Sequence, residues 1–274
     1  MQHLPRALYR YSIAVVNSIH IFLYSFTLWP ISAWVRFWIT RRDTIMVSLD
    51  SVTMHIRASS LHAKLVDLHM ATTCLTRQQY TPATMTINPA DTIIDIGGHI
   101  GSFALFAASR APQGRIFTYE PDPENYRILN KNISLQYANI TGFQKAVAAV
   151  GGRKTFYRAS LNNAENSLFK KGSLSFSVEG TTIQDIFTDN AIKQCDFLKL
   201  DCEGAEYEIL LTAPSAVLSA IRRIAIECHR KEYFDIENSN YTLEHLVTFL
   251  QQQGFVTEVL PENRMHSIIL AHRT

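Results

Sequence analysis

From Asp91 onward, short apolar runs alternate with stretches whose apolar positions recur every three or four residues. The runs are Thr92–Ile96, Arg115–Glu120, Ile140–Val147, Phe197–Asp201, Arg223–Glu227, Phe255–Leu260 and Ser267–Ala271. Runs of this length, apolar on both sides, predict strands buried on both faces of a parallel sheet. Between them the spacing predicts helices. One follows Gly101 and carries Phe103, Leu105, Phe106 and Ala107. Another follows Pro121, with Asp122 as its cap, Pro123 in its first turn and a core face of Tyr126, Leu129 and Ile133. A third begins at Gly204, and a fourth runs from Leu243 to Gln253 and stops at Gly254. The order predicts an α/β fold: a doubly wound, mostly parallel sheet. The last two runs flank Pro261-Glu-Asn-Arg264 and predict a terminal antiparallel hairpin.

The chain upstream reads differently. Residues 43–90 form a small preface on the substrate side, with an edge hairpin over Thr44–Ile56 and a helix over Leu61–Leu75, ended by Tyr80-Thr-Pro82. Residues 151–180 are rich in Gly, Ser and Asn and predict a hairpin near Lys154–Arg158 with a substrate-side loop. Residues 1–42 form an apolar, helical N-terminal segment. No Asp, Glu, Lys or Arg falls between Tyr11 and Val35, a run of 25 residues, where a bilayer span needs about 20. Asn17, Ser18, His20, Ser25, Thr27 and Pro30 dilute it. Arg6 and Arg10 precede it, Arg36, Arg41 and Arg42 follow, and Trp29, Trp34 and Trp38 cluster where an interfacial belt would sit. Three readings stand: membrane association through residues 7–39, an ordinary helix packed on the protein or on a second copy, or a targeting segment.

Composition narrows the partners. A formal net charge of +2 supplies no basic face of the kind nucleic-acid binders carry, so no nucleic acid is expected. Cys74, Cys195, Cys202 and Cys228 form no C-x-x-C pair. They predict a reducing, cytoplasmic setting and no structural zinc.

The most informative stretch is Asp91-Thr-Ile-Ile-Asp-Ile-Gly-Gly-His-Ile-Gly101, a strand that breaks into a glycine turn and opens a helix. Such a turn at the carboxyl edge of a parallel sheet is where nucleotide-like cofactors bind. The dinucleotide fingerprint G-x-G-x-x-G would place its glycines at 96, 98 and 101, and Ile96 fails the first. What fits is D-x-G-x-x-x-G, with Asp95, Gly97 and Gly101. In S-adenosylmethionine enzymes that loop wraps a ligand without phosphates, and the carboxylate meets a cationic amino-acid end. Glu120 ends the next strand, where an ionised carboxylate can accept from both ribose hydroxyls.

Two further strand ends face the same crevice. Asp201-Cys-Glu203-Gly204 leaves the fourth strand. Two carboxylates this close need a cation: the sulfonium of the cofactor, Lys199, or a divalent metal. The plainer reading is that Glu203 and Glu206 favour a helix N-terminus. Glu227-Cys-His229 leaves the fifth strand, with Glu227 and His229 on one side. Methylating an alcohol needs a base, and His229, Asp201 or Glu203 would serve. With Asp201 and Glu203, these residues could also hold magnesium, which is not expected, and no metal ligands are assigned.

Asp95-Ile-Gly-Gly-His-Ile-Gly101, Tyr119-Glu-Pro121 with Glu124-Asn125, Leu198-Lys-Leu-Asp-Cys-Glu-Gly-Ala-Glu206 and Glu227-Cys-His229 together resemble the FkbM family of S-adenosylmethionine-dependent methyltransferases. The resemblance covers roughly residues 80–272. Asn166-Ser-Leu168 and the helix start Thr182-Ile-Gln-Asp185 are similar too, while His99 departs from the family's small or amide residue. The resemblance implies a Rossmann-like class I methyltransferase domain over 91–274, with a seven-stranded sheet. It implies methyl transfer to a hydroxyl of a sugar or natural-product acceptor, and a membrane-near N-terminus would fit a glycolipid. Asp95, Gly97, Gly98 and Gly101 would hold the methionine end, Glu120 the ribose, and Lys145 and Ala146 would lie near the adenine. Asp201, Glu203, Glu227 and His229 would form the reacting face. The alternatives are a nicotinamide oxidoreductase and a membrane-associated, non-catalytic binding protein.

Overall fold

The computed structural model describes residues 6–158, 174–233, 238–263 and 265–273. The predicted polar loop at Asn166-Ser-Leu168 lies outside them. The chain divides into two compact units, Met1–Arg77 and Gln78–Thr274.

The first unit holds α1 (Arg6–Leu28), α2 (Ile31–Ile39), β1 (Arg42–Leu49), β2 (Val52–Ala58) and α3 (Leu61–Leu75). The apolar run is not one helix. It breaks at Trp29-Pro30, because proline has no N–H to donate and its ring clashes with the preceding turn. Among the described residues no helix is long and apolar enough to cross a membrane. The indole N–H groups of Trp34 and Trp38 donate to the buried Ser25 hydroxyl at 2.7 and 3.2 Å, tying α2 to α1. Lys64 of α3 is buried and donates to the Phe37 and Trp38 carbonyls at 2.7 and 3.1 Å, capping the end of α2. β1 and β2 form the expected hairpin. Arg57 of β2 and Asp67 of α3 form a buried ion pair, with Arg57 Nε 3.0 Å from both Asp67 oxygens.

The second unit contains β3 (Thr92–Ile96), α4 (Ser102–Arg110), β4 (Arg115–Tyr119), α5 (Pro123–Gln136), β5 (Ile140–Phe143), β6 (Lys145–Val147), β7 (Gly152–Arg158), β8 (Leu174–Thr181), α6 (Ile183–Asp189), β9 (Phe197–Leu200), α7 (Glu206–Leu211), α8 (Ser215–Ser219), β10 (Arg223–His229), α9 (Leu243–Gln252), β11 (Val256–Pro261) and β12 (His266–His272). Seven strands form one sheet in the order β11-β12-β10-β9-β3-β4-β5. The five central and following strands run parallel, and β12 pairs antiparallel with both β10 and β11. β3, β9 and β10 are buried almost throughout, which is why they read as unbroken apolar runs. From β3 the order runs to β4 on one side and to β9 on the other. The carboxyl ends of β3 and β9 therefore flank the switch point where open α/β sheets bind ligands.

Local signals placed the helices. Asp122 caps α5, accepting from the Glu124 and Asn125 N–H groups at 2.8 and 3.2 Å. Thr182 and Asp185 form a reciprocal capping box at the start of α6. The third predicted strand is two: β5 joins the main sheet, while β6 leaves it to pair with β8 in a three-stranded sheet, β6-β8-β7. β10 runs two residues past Glu227, because β12 pairs with it from Arg223↔His272 to His229↔His266. The helix after Gly204 starts at Glu206, since Glu203 and Gly204 both take left-handed backbone, at φ 56° and 106°.

Candidate active site

The glycine turn is held from beneath. Gly97 and Gly98 both donate to the Tyr119 carbonyl at 3.0 Å, and Gly101 caps α4 in a left-handed conformation. Gly97 sits at φ 84°, and a Cβ there would lie 1.7 Å from the Asp201 carbonyl oxygen. No side chain fits, so the turn after β3 and the turn after β9 touch backbone to backbone.

Asp95 lies under this contact, fully buried. One oxygen accepts from the Thr118 hydroxyl at 2.9 Å, and the other is 3.2 Å from Lys199 Nζ. Lys199 also donates to the Gly97 carbonyl at 2.7 Å and lies 3.7 Å from Asp201. Lys199 is therefore a buried cation shared by Asp95, Asp201 and the turn. Sequence reasoning named it only as one candidate counter-charge for Asp201 and Glu203.

Glu120 is also buried. It accepts from the backbone N–H groups of His99 and Asp122 at 2.8 and 2.9 Å, and Asn125 lies 3.4 Å away. Burial pushes its carboxyl up to about 8, against the pull of the Asp122 and His99 hydrogen bonds. His99 enters this contact through its backbone, so its unusual side chain leaves it unchanged. Lys145 and Ala146 lie in β6, just past the end of β5, whose Phe143 carbonyl accepts from the Glu120 N–H at 3.0 Å. Lys145 pairs with Glu179 of β8 at 2.7 Å, and Ala146 is buried.

The turn after β9 and the carboxyl end of β10 bring Asp201, Glu203, Glu227 and His229 into one cluster. His229 is buried, with Nδ1 2.8 Å from Glu206 and Nε2 3.6 Å from Glu203 and 3.5 Å from Glu227. Burial alone would lower its pKa. Glu206, Glu203 and Glu227 outweigh that and hold it well above the ordinary value, which favours the imidazolium form. Glu206 is not a cleft residue. Fully buried, it accepts from the Cys202 and Gly204 N–H groups at 2.9 and 2.8 Å, closing the turn while it orients His229.

Three partners were missing from the sequence reading. The Tyr80 oxygen lies 3.0 Å from Asp201 and 2.9 Å from Glu227, and Gln79 donates to Glu227 at 3.0 Å. His266, opposite His229 on β12, is 3.3 Å from Glu227. The antiparallel terminal hairpin was the available signal for His266. Tyr80 and Gln79 carried none, because they reach Glu227 across about 147 residues of sequence.

A phenol has one proton, so Tyr80 cannot donate to two ionised carboxylates at once. The two carboxylates compete for that one hydrogen bond, and the more firmly ionised one is the better acceptor. Burial raises Asp201, the Glu227 carboxylate raises it further, and Lys199 and His229 only partly oppose this. Burial also raises Glu227, but His266, His229 and Tyr80 outweigh it and hold its carboxyl below the ordinary range. Glu227 is thus the more firmly ionised member, and Asp201, raised to about 6, takes up a proton more readily. Glu203 is pushed up to about 8 by burial, with His229 opposing and Asp201, Glu227 and Glu206 adding to the rise.

A pH effect follows. Folded Glu203 binds its proton more tightly than unfolded Glu203 between about 4.5 and 8. Stability therefore falls as pH rises through that window, by at most about 1.4 kcal/mol per pH unit for one group. Glu203→Gln should flatten the fall in thermal midpoint between pH 5.5 and 7.5. Equal slopes in the two proteins would remove Glu203 as its source.

Two donor sets, Glu227–His229–His266 and Asp201–Glu203–His229, each converge closely enough to hold a divalent cation. All four cysteines are free.

Residues 95–257 match the model of the methyltransferase FkbM domain. Methyltransferase sdnD of Sordaria araneosa is 25% identical over 181 residues, covering 54% of this chain and 69% of that protein. The 31-O-demethyl-FK506 methyltransferase FkbM of Streptomyces tacrolimicus is 24% identical over 200 residues, covering 62% and 74%. The crystal structure of methyltransferase FkbM from Methylobacillus flagellatus superposes with a TM-score of 0.51 at 15% identity, over 78% of this chain. This chain spans about half of that one, 54%, and the likeness is one of fold. The nicotinamide alternative fails on Ile96 and on the β11–β12 hairpin, and the family match lies on the glycine turn and both acidic turns. With more than half of its length matched, the chain belongs to the FkbM family and is a methyltransferase.

Proposed function

We propose that this protein transfers a methyl group from S-adenosylmethionine to a hydroxyl oxygen of a sugar, glycolipid or natural-product acceptor. The observation that carries the reading is the contact of Gly97 with the Asp201 carbonyl. It sets a cofactor turn and an acidic, proton-handling cluster on one wall. The oxygen acceptor is supported by the relative whose printed name assigns it a 31-O position.

The residues fit the cofactor. The Ser102 hydroxyl, buried at the start of α4, has no hydrogen-bond partner among the described residues. Glu120 is a carboxylate whose charge burial disfavours, and two donating hydroxyls would stabilise that charge. Gly97, Gly98 and Gly101 shape the methionine side of the turn, with Asp95 fixing it through Lys199, and Lys145 and Ala146 border the adenine side. Bound, S-adenosylmethionine supplies a sulfonium methyl that an acceptor oxygen can attack. Positioning of the two reactants contributes up to about 7–11 kcal/mol in well-oriented systems.

The acceptor hydroxyl must lose its proton as the carbon–oxygen bond forms. In its favoured imidazolium form His229 has no lone pair to accept it. Glu203 is protonated at neutral pH. Asp201, raised to about 6 and still mostly ionised at neutral pH, takes the proton, and Tyr80 and Glu227 orient it. His229 offsets the carboxylate charge around it. Four free cysteines accord with a cytoplasmic setting.

Glu120→Ala should weaken S-adenosylmethionine binding roughly 10- to 100-fold by calorimetry, the scale of a hydrogen-bonded charge. Unaltered affinity would sink the ribose assignment. Methyl transfer from labelled S-adenosylmethionine to extracted glycolipids, sugars and small metabolites tests the whole reading. No labelled product from an enzyme that binds the cofactor would overturn the hydroxyl acceptor.

A further inference from the structure

The helix α1 is apolar on two sides. Ile21 and Ser25 face inward and are buried. Val15, Val16, Ile19, Leu23 and Phe26 are exposed, and at 100° per residue they fall within an arc of about 100°, roughly opposite. Helix α2 repeats the pattern. Ile31, Val35 and Ile39 occupy an arc of about 80°, and Ile31 and Ile39 are each 73% exposed. Soluble helices place charged residues on such a face. Here eight large apolar side chains fill it.

The charge beside these stripes has one sign. No acidic residue precedes Asp43, while Arg36, Arg41 and Arg42 are exposed at and just beyond α2. The Trp34 and Trp38 indoles are committed to Ser25, so the exposed stripes are aliphatic and phenyl. An apolar helical face next to arginines, without acidic residues, is complementary to an anionic lipid surface. The break at Trp29-Pro30 and the absence of a spanning helix among the described residues leave the segment lying on the surface.

We infer that α1 and α2 form an interfacial anchor that lies flat on an anionic membrane. The apolar stripes sit at the headgroup boundary, and Arg36, Arg41 and Arg42 contact lipid phosphates and carboxylates. This inference rests on the first unit alone and does not depend on the acceptor assigned to the second.

The test is pelleting of the full chain with sucrose-loaded vesicles. Phosphatidylcholine containing 30% phosphatidylserine is compared with phosphatidylcholine alone. The wild type should partition at least tenfold more strongly onto the anionic vesicles. Ile19→Glu with Leu23→Glu should lose tenfold or more on them. Arg41→Gln with Arg42→Gln should lose roughly 25-fold, since each arginine near such a surface is worth about fivefold. Met46→Glu, exposed on β1, should bind as the wild type. Circular dichroism melts confirm that each variant folds, and the lipid comparison with wild-type protein needs no variant. Failure of the wild type to pellet, or equal pelleting of Ile19→Glu/Leu23→Glu, overturns the anchor. So does a dimer that the same substitutions split with no lipid uptake, because the face then belongs to a second copy.

Discussion

Gly97→Ala should abolish methyl transfer and lower the thermal midpoint by more than 10 °C. The added methyl carbon would lie 1.7 Å from the Asp201 carbonyl oxygen and 2.8 Å from its carbon. Both are backbone atoms, so no rotamer change relieves the overlap. Left-handed backbone adds a further 1–2 kcal/mol or so for a residue with a Cβ. The ends of β3 and β9 would have to part, and several interactions would go with them. The Lys199 contact with the Gly97 carbonyl, the pairing of Lys199 with Asp95, and the placement of Asp201 all depend on that approach. The cofactor turn and the base would be lost together. Gly101→Ala is the control. It has the same sign of φ, 93°, but its nearest neighbour would be 3.5 Å away, an ordinary contact. It should cost about 1–2 kcal/mol and keep most of the cofactor affinity. If Gly97→Ala turns over as the wild type, the two turns do not depend on each other. If Gly101→Ala is the more damaging, the left-handed conformation matters more than the close approach.

What could be read from the sequence was local or periodic. β3 and β9 stood out because strands buried on both faces carry unbroken apolar runs. Asp122 with Pro123, and Thr182 with Asp185, marked helix starts because a cap is satisfied within three residues. Asp201, Glu203, Glu227 and His229 were placed in one crevice by a rule about strand ends, and the structure brings them together. What could not be read depends on partners far along the chain. β6 separates from β5 because β8 offers it a partner, and no residue near 144 announces that. Glu206 resembled an acidic residue at a helix N-terminus, yet it closes its own turn and fixes His229. His229 stood out as a base because histidine usually titrates near neutrality. Glu206, brought beside it only in three dimensions, and Glu227 help hold its pKa well above the ordinary value. In the first unit, charge-free length suggested a span, but Pro30 divides it.

Asp201→Asn should lower kcat by roughly 10²–10⁴, the range for loss of a positioned general base, while S-adenosylmethionine affinity changes by only a few-fold. Asn keeps the shape and can still accept from the Tyr80 hydroxyl, now 3.0 Å from Asp201 Oδ2. It cannot take up a proton. Because the substitution also removes a charge beside Lys199 at 3.7 Å, a modest fall in stability is expected. The pH profile separates the two effects. In the wild type, burial and Glu227 raise the Asp201 carboxyl, so activity should climb with pH above the ordinary carboxylate range as the base ionises. That acid limb should vanish from the residual activity of Asp201→Asn, which a purely structural loss would not do. Tyr80→Phe should displace the limb, because the phenol bridges Asp201 to the ionised Glu227. Turnover of Asp201→Asn within threefold of the wild type would remove Asp201 from the mechanism. Glu203 would then be the next candidate for the base, and its rise to about 8 would place the limb there instead.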